Sequence, residues 1–158
     1  MKQKIKYILP FVAVLFVACN NNKKIEDTKK QGGLVFPQGE KITNSNFTGT
    51  AYLQSLISAD SLNSISVGNV TFEPGARSKW HSHPAGQILL VIDGVGYYQE
   101  KGKAKQILRI GDAIKCPPNT PHWHGASSDS AFVQVAITGR EKGETVWLEA
   151  VSDEEYSR

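Results

Sequence analysis

Cysteine is nearly missing from this chain: two occur in 158 residues, Cys19 and Cys116. With Cys19 modified, as argued below, no intramolecular disulfide is available. Cys116 has no local base or motif to activate it, so it reads as a small buried hydrophobe and not a nucleophile. A long apolar run is missing too. The best stretch, residues 8–18, falls short of the roughly 20 residues needed to cross a bilayer. Internal repeats and heptads are absent. A large charge excess is also lacking. The formal net charge is +3, but residues 1–18 hold three lysines and no acid, so the rest of the chain has 15 basic and 15 acidic residues and a net charge of zero. That balance gives no basic surface for nucleic acid, and none is expected as a partner. The length suits one domain.

The start of the chain is organised for export. Lys2, Lys4 and Lys6 form a positive segment ahead of the apolar run. The run ends in Phe16-Val17-Ala18-Cys19, and a small alanine before cysteine resembles a lipoprotein processing site, with Phe16 where leucine is usual. Residues 1–18 are therefore expected to be a lipoprotein signal peptide, and Cys19 a lipidated attachment to the membrane. A polar, glycine-ended segment follows, and residues 19–45 are expected to be a flexible tether. Residues 46–158 are then the folded domain, exported and lipid-anchored in the bacterial cell envelope on its periplasmic face.

That domain reads as all-β. Short apolar or alternating runs recur over residues 50–57, 65–72, 87–92, 96–99, 106–110, 132–138 and 145–150. Turn residues separate them, and Asp93-Gly94 is expected to be a hairpin turn. Such spacing suggests a sandwich or barrel. One helix is expected, at the C-terminus, where Ser152-Asp-Glu-Glu155 fits a capping box. Arg77, Lys79 and Glu100 read as solvated surface charges.

All four histidines fall in two stretches. The first runs from Gly75 through His81, His83 and Gln87 to Gly94; the second runs from Gly111 through Pro117 to His122 and His124. Side chains at i and i+2 of a strand share a face. His81 and His83 can thus reach one point, and imidazole is the commonest protein ligand for first-row metals. By the same alternation His122 and His124 face inward together, while Trp80 and Trp123 face away. Gln87 opens a strand with Leu89 and Val91 on its face, which places a polar cluster on an apolar wall.

The two stretches resemble the paired motifs of the cupin superfamily. Gly75 to Gly94 fits the first motif, with Gln87 where glutamate is usual. Gly111, Pro117 and His122 fit the second, with Asn119 in place of a glycine and Ala126 in place of a later asparagine. Asparagine tolerates the left-handed turn that glycine would supply. Residues 70–77, 80–87, 122–126 and 151–158 are similar to a group of small single-domain bacterial cupins that includes manganese-dependent hydroxynitrile lyases and relatives named after carboxymuconolactone decarboxylase. The resemblance covers residues 46–158. It implies a single-domain jelly-roll barrel (a double-stranded β-helix) with a short C-terminal helix, and it leaves room for a homo-oligomer. It implies a divalent metal held by His81, His83, Gln87 and His122, with Mn first and Fe, Ni or Zn as alternatives.

Three imidazoles and one amide oxygen leave the charge of such an ion uncancelled, which favours Lewis-acid chemistry on a small molecule. A carboxylate ligand would help the higher oxidation states of oxygen activation, so its absence points away from a dioxygenase. The expected activity is a redox-neutral lyase or isomerase acting on a small hydroxy or carbonyl compound. His124 and Gln134 are the candidate catalytic residues. In a hydroxynitrile lyase His124 would take the hydroxyl proton or steady the leaving cyanide. The lyase group carries a second non-ligand histidine where this chain has Gln134, and an amide cannot take a proton as imidazole does. That departure supports a rival expectation, a cupin that captures a small ligand through its metal without turnover.

The export reading makes a direct prediction. Cys19→Ser is expected to leave the chain unlipidated and uncleaved, as read by mass spectrometry of the membrane fraction. A wild-type mature N-terminus at any residue other than Cys19 would refute it.

Overall fold

The computed structural model describes residues 35–158. The expected signal peptide, Cys19 and the tether up to residue 34 lie outside the described residues. Among the described residues no helix is long and apolar enough to cross a membrane.

The chain forms β1 (Glu40–Lys41), β2 (Phe47–Thr48), β3 (Ala51–Ile57), β4 (Ile65–Phe72), β5 (Arg77–Ser78), β6 (His81–Ser82), β7 (Gln87–Glu100), β8 (Gln106–Arg109), β9 (Ala113–Cys116), β10 (His122–Ala126), β11 (Phe132–Gly139) and β12 (Val146–Trp147), then helix α1 (Asp153–Ser157). All pairings are antiparallel, and the strands curl into one barrel-like sheet in the order β1-β3-β4-β11-β7-β10-β5-β2. This is the jelly-roll architecture expected from the two motifs, with one short helix among the described residues, at the end.

Alternation decides what is buried. On β7, Gln87, Leu89 and Val91 point inward, while Ile88 and Leu90 stay over a third exposed. Phe72, Leu89 and Phe132 are fully buried in the main core with Val70, Tyr98 and Leu108. Each such side chain contributes roughly 1.5–3 kcal/mol on leaving water. A second, smaller core lies on the outer side. There Trp80, Trp123 and Val151 pack with Tyr97, Leu148 and Tyr156, so the tryptophans turn away from the histidines beside them in sequence.

Helix α1 has the expected capping box: Glu155 N–H donates to Ser152 Oγ, and Ser152 N–H donates to the Glu155 carboxylate. Five residues cannot sustain a helix alone. It is held by Tyr156, whose hydroxyl donates to the Ala126 carbonyl at 2.8 Å, and by the Arg77 guanidinium, 4.7 Å from the Tyr156 ring centre. Arg77 also donates to the Val151 carbonyl and to Asp153.

Four expectations are corrected. Arg77 is not a solvated charge; it is 5 % exposed and ties the C-terminal segment to β5. Glu100 is buried as well, beneath Lys103 and beside Tyr98. The tether does not extend to residue 45: Glu40 and Lys41 pair with Leu53 and Tyr52, and the amide of buried Asn69 donates to the Pro37 carbonyl. The domain thus begins ahead of residue 46. Finally, Asp93-Gly94 is no hairpin. Residues 87–100 form one strand that pairs with β9 and β11 before the bend and with β8 and β10 after it. Opposite β11 the register shifts, because Val133 faces Asp93 while Gln134 faces Val91. The extra residue bends the strand from one side of the barrel to the other.

Gly94 makes that bend possible. Its φ is +74°, and a Cβ there would sit 1.9 Å from the Ala131 carbonyl oxygen. Gly102 also has positive φ (+82°) but opens onto free space. Gly102→Ala is therefore expected to cost about 1 kcal/mol for the backbone conformation alone, and Gly94→Ala at least twice that, because the clash adds to it. Urea melts of both variants check this. Equal losses would contradict the close approach at Gly94.

Candidate metal centre and cavity

The two histidine stretches are brought together by backbone. His81 pairs with His122 across β6 and β10. The carbonyl of His83 accepts from Gly86 N–H at 3.0 Å and from Asn119 N–H at 2.9 Å. Asn119 takes φ +57°, the left-handed turn expected of it. One carbonyl thus closes both loops and fixes the second motif against the first.

His81, His83 and His122 converge. One ring nitrogen of each lies within 4.8 Å of the others, in a group that could hold a metal ion. Their second nitrogens are committed. Nδ1 of His81 lies 2.9 Å from the Lys79 carbonyl, and Nδ1 of His122 lies 2.9 Å from the Thr120 carbonyl. A carbonyl oxygen only accepts, so each Nδ1 carries the proton and each Nε2 carries the lone pair. His83 Nδ1 meets Thr145 Oγ1 at 3.2 Å. The buried Nε2 atoms of His83 and His122 have no partner among the described residues. Orphaned buried nitrogens are costly, and a cation is a partner that three converging imidazoles suit. The donor set therefore fits the divalent ion that the resemblance implies.

Electrostatics agree. Burial is the main cause lowering all four histidines below the ordinary imidazole range, and neighbouring imidazoles add to it at His81, His83 and His124. His83 is pushed down to about 3. The rings are neutral at neutral pH, the form in which they bind metal. Cys116 stays out of the chemistry as expected: it is buried, and its thiol is pushed up to about 12, chiefly by burial.

Gln87 lies against this group. Its Nε2 donates to Thr138 Oγ1 at 3.0 Å, so its carbonyl oxygen is the end left for the site. The oxygen is 4.0 Å from Cys116 Sγ, a weak donor. His124, also buried, stands beside the group, its ring centre 5.1 Å from that of His81. Its Nδ1 is 2.8 Å from Gln134 Nε2, and its Nε2 has no partner. Gln134 is fully buried behind His124. It reaches the cavity through that ring.

A cavity of about 450 Å³ opens over these residues. His81, His83, Gln87 and His124 line it, together with apolar side chains such as Phe47, Leu53, Val70 and Trp147. Sequence reading missed several of its residues, Arg140, Thr145 and Trp147 among them. Arg140 continues the inward face of β11 two residues past Thr138, a spacing that alternation could have followed. Thr145 and Trp147 carry no local signal. Thr145 reaches His83 across 62 positions, and Trp147 lies over His81 with ring centres 4.9 Å apart.

The depressed imidazoles predict a pH dependence for the metal-free protein. The ordinary histidine value is 6.5 and the folded values lie below it. The unfolded chain therefore binds more protons than the fold in acid. Stability is full above pH 6.5 and is lost as pH falls below it, by at most about 1.4 kcal/mol per pH unit for each histidine. Denaturant melts at pH 7.5 and 5.5 read the slope, and His83→Ala should remove one histidine's share of it. Equal stability at the two pH values would overturn the account.

Comparison with known proteins agrees with this geometry. Residues 68–138 match the Cupin domain family. The chain is 42 % identical over 113 residues to the (R)-mandelonitrile lyase of Granulicella tundricola, covering 71 % of this chain and 86 % of that protein. It superposes on a cupin-like protein from Thermotoga maritima with a TM-score of 0.76 and 43 % identity, over 78 % of this chain and 95 % of that one. A cupin 2 conserved barrel domain protein from Rhodopseudomonas palustris shares the fold at a TM-score of 0.59 and 14 % identity, over 73 % and 78 % of the two chains. With its two histidine stretches closed on one barrel interior, the chain belongs to the cupin family, as a small bacterial cupin similar to the hydroxynitrile lyases.

Proposed function

We propose that the protein is a metal-dependent, redox-neutral lyase of the hydroxynitrile lyase kind, acting on a small hydroxy or carbonyl compound. The observation that carries this reading is the set of inward, unpartnered imidazole nitrogens under a partly apolar cavity, in a chain 42 % identical to a mandelonitrile lyase. His81, His83, His122 and the Gln87 oxygen would hold a divalent ion, Mn first, which supplies Lewis acidity toward a substrate hydroxyl.

The remaining chemistry belongs to His124 and Gln134. The Gln134 amide decides which end of His124 is a donor. In the orientation seen, Gln134 Nε2–H donates to His124 Nδ1, so His124 Nε2 carries hydrogen. It can then face the anion that leaves when the carbon–carbon bond of a cyanohydrin breaks and its electron pair goes to cyanide. With the amide turned over, Oε1 accepts from Nδ1–H, and the bare Nε2 can take the hydroxyl proton. The two roles are thus two settings of one amide. Burial holds His124 well below the usual imidazole range, so it rests neutral in either setting, and a proton taken from the hydroxyl would be passed on to the departing cyanide.

Gln134 also favours a second reading. A buried amide cannot supply the second titrating group that the resemblance implies, and a cupin without it would capture ligand without turnover. Export and anchoring through Cys19 are proposed with either reading.

The test uses the metal-loaded chain. The His81→Ala/His83→Ala double variant is expected to lose stoichiometric metal and keep its β circular dichroism. His124→Ala should keep metal and lower kcat on mandelonitrile by roughly 10²–10⁴-fold. Gln134→His should raise that activity, and Gln87→Glu should hold metal but turn over more slowly. No cyanohydrin cleavage by wild type or Gln134→His would establish the binding reading instead. Metal lost in His124→Ala would make His124 a ligand.

A further inference from the structure

Arg140 is the one cationic side chain lining the cavity among the described residues. Three neighbours fix it. Its Nε donates to Ser66 Oγ at 3.0 Å, and one terminal nitrogen donates to Thr145 Oγ1 at 3.2 Å and to Glu144 at 2.9 Å. Thr145 Oγ1 in turn meets His83 Nδ1 at 3.2 Å. One imidazole and two hydrogen bonds therefore separate the guanidinium from the inward His83 Nε2. The other terminal nitrogen of Arg140 has no protein partner among the described residues. The Arg140 side chain is 27 % exposed, while the histidines are nearly dry. Its one acidic partner, Glu144, is 86 % exposed, and an ion pair that open contributes little and exchanges easily. Ser66, Thr138, Arg140 and Thr145 thus add a polar stripe to a cavity whose other walls are largely apolar.

We propose that the cavity takes small organic carboxylates with an apolar body and a hydroxyl or carbonyl at the far end, and that Arg140 binds the carboxylate. This rests on the reading of the cavity as a metal-dependent small-molecule site. The planar guanidinium suits a carboxylate, which would take the free nitrogen and replace Glu144 on the other. The far oxygen then faces the three imidazoles. A ligand set without a carboxylate leaves the bound ion's charge uncancelled, which adds to the attraction for an anion. Glu144 opposes an incoming anion, so it acts as a weak competitor for Arg140.

The test is calorimetry of the full chain loaded with Mn²⁺, using 4-(hydroxymethyl)benzoate and its neutral analogue 4-(hydroxymethyl)benzamide. Wild type is expected to prefer the acid by roughly 10-fold or more, the worth of a charge-assisted hydrogen bond. Arg140→Gln should abolish the preference and leave the amide's affinity unchanged. Glu144→Gln should tighten the acid a few-fold and not the amide; being exposed, it keeps the test open if Arg140→Gln fails to fold. No preference in wild type, or an equal loss for both probes in Arg140→Gln, would overturn the proposal, the second result making Arg140 a structural support of Thr145 and His83. Stripping the metal separates the two readings. If both probes bind the stripped chain as well as the loaded one, the metal reading fails, while an Arg140-dependent preference for the acid still upholds the carboxylate site.

Discussion

Three neutral imidazoles converging on one point, with a fourth buried beside them, are the constraint on which the rest of this structure depends. Their burial is unfavourable by itself. Protonation is suppressed, and three Nε2 atoms have no partner among the described residues. The surrounding chain makes the arrangement definite. Carbonyls of Lys79 and Thr120 hold Nδ1–H of His81 and His122, so the lone pairs point inward and nowhere else. The fold accepts a local cost to keep a ready set of ligands, and a bound cation would offset that cost by occupying the orphaned lone pairs.

The barrel serves this cluster through one long strand. β7 carries Gln87 to the site at one end and supplies Tyr98 and Glu100 beneath His122 at the other. The bend at Gly94 lets a single strand belong to both sides of the barrel, which a hairpin at the same place could not do. Behind the site, the outer core of Trp80, Trp123 and Tyr156 presses β10 from outside. Buried Arg77 ties the capped C-terminal helix to it. Rigidity at His122 and His124 thus comes from residues that never face the cavity, the usual way in which a site is held to tolerance.

Two polar groups at opposite sides of the cavity contact the histidines, one from behind the wall and one on it. Gln134 sits behind His124, hydrogen-bonded to its Nδ1, without touching the cavity. Arg140 sits toward solvent and reaches His83 through Thr145. One side of the site is an amide that cannot titrate; the other is a cation with one nitrogen unpartnered among the described residues. A relative that differed at these two positions could keep the same metal ligands and treat a different molecule, as expected when function lies in the site and not in the fold.

The sequence by itself determined the family of folds and the inward face. The His81/His83 and His122/His124 spacings, with the period of two along β7 and β11, named the residues that share the interior, because side-chain alternation is a local property of a strand. Asn119 and the Ser152 capping box were legible for the same reason, since each depends on neighbours within a few residues. Tertiary structure alone decided the rest. That Asp93-Gly94 bends a strand depends on β11 lying alongside. That Arg77 is buried depends on the C-terminal segment folding back, 74 positions away. The hold of Thr145 on His83 spans 62 positions and that of Arg140 on Ser66 spans 74. Contacts across such separations are set by how the barrel closes, and no periodicity within a single strand records them.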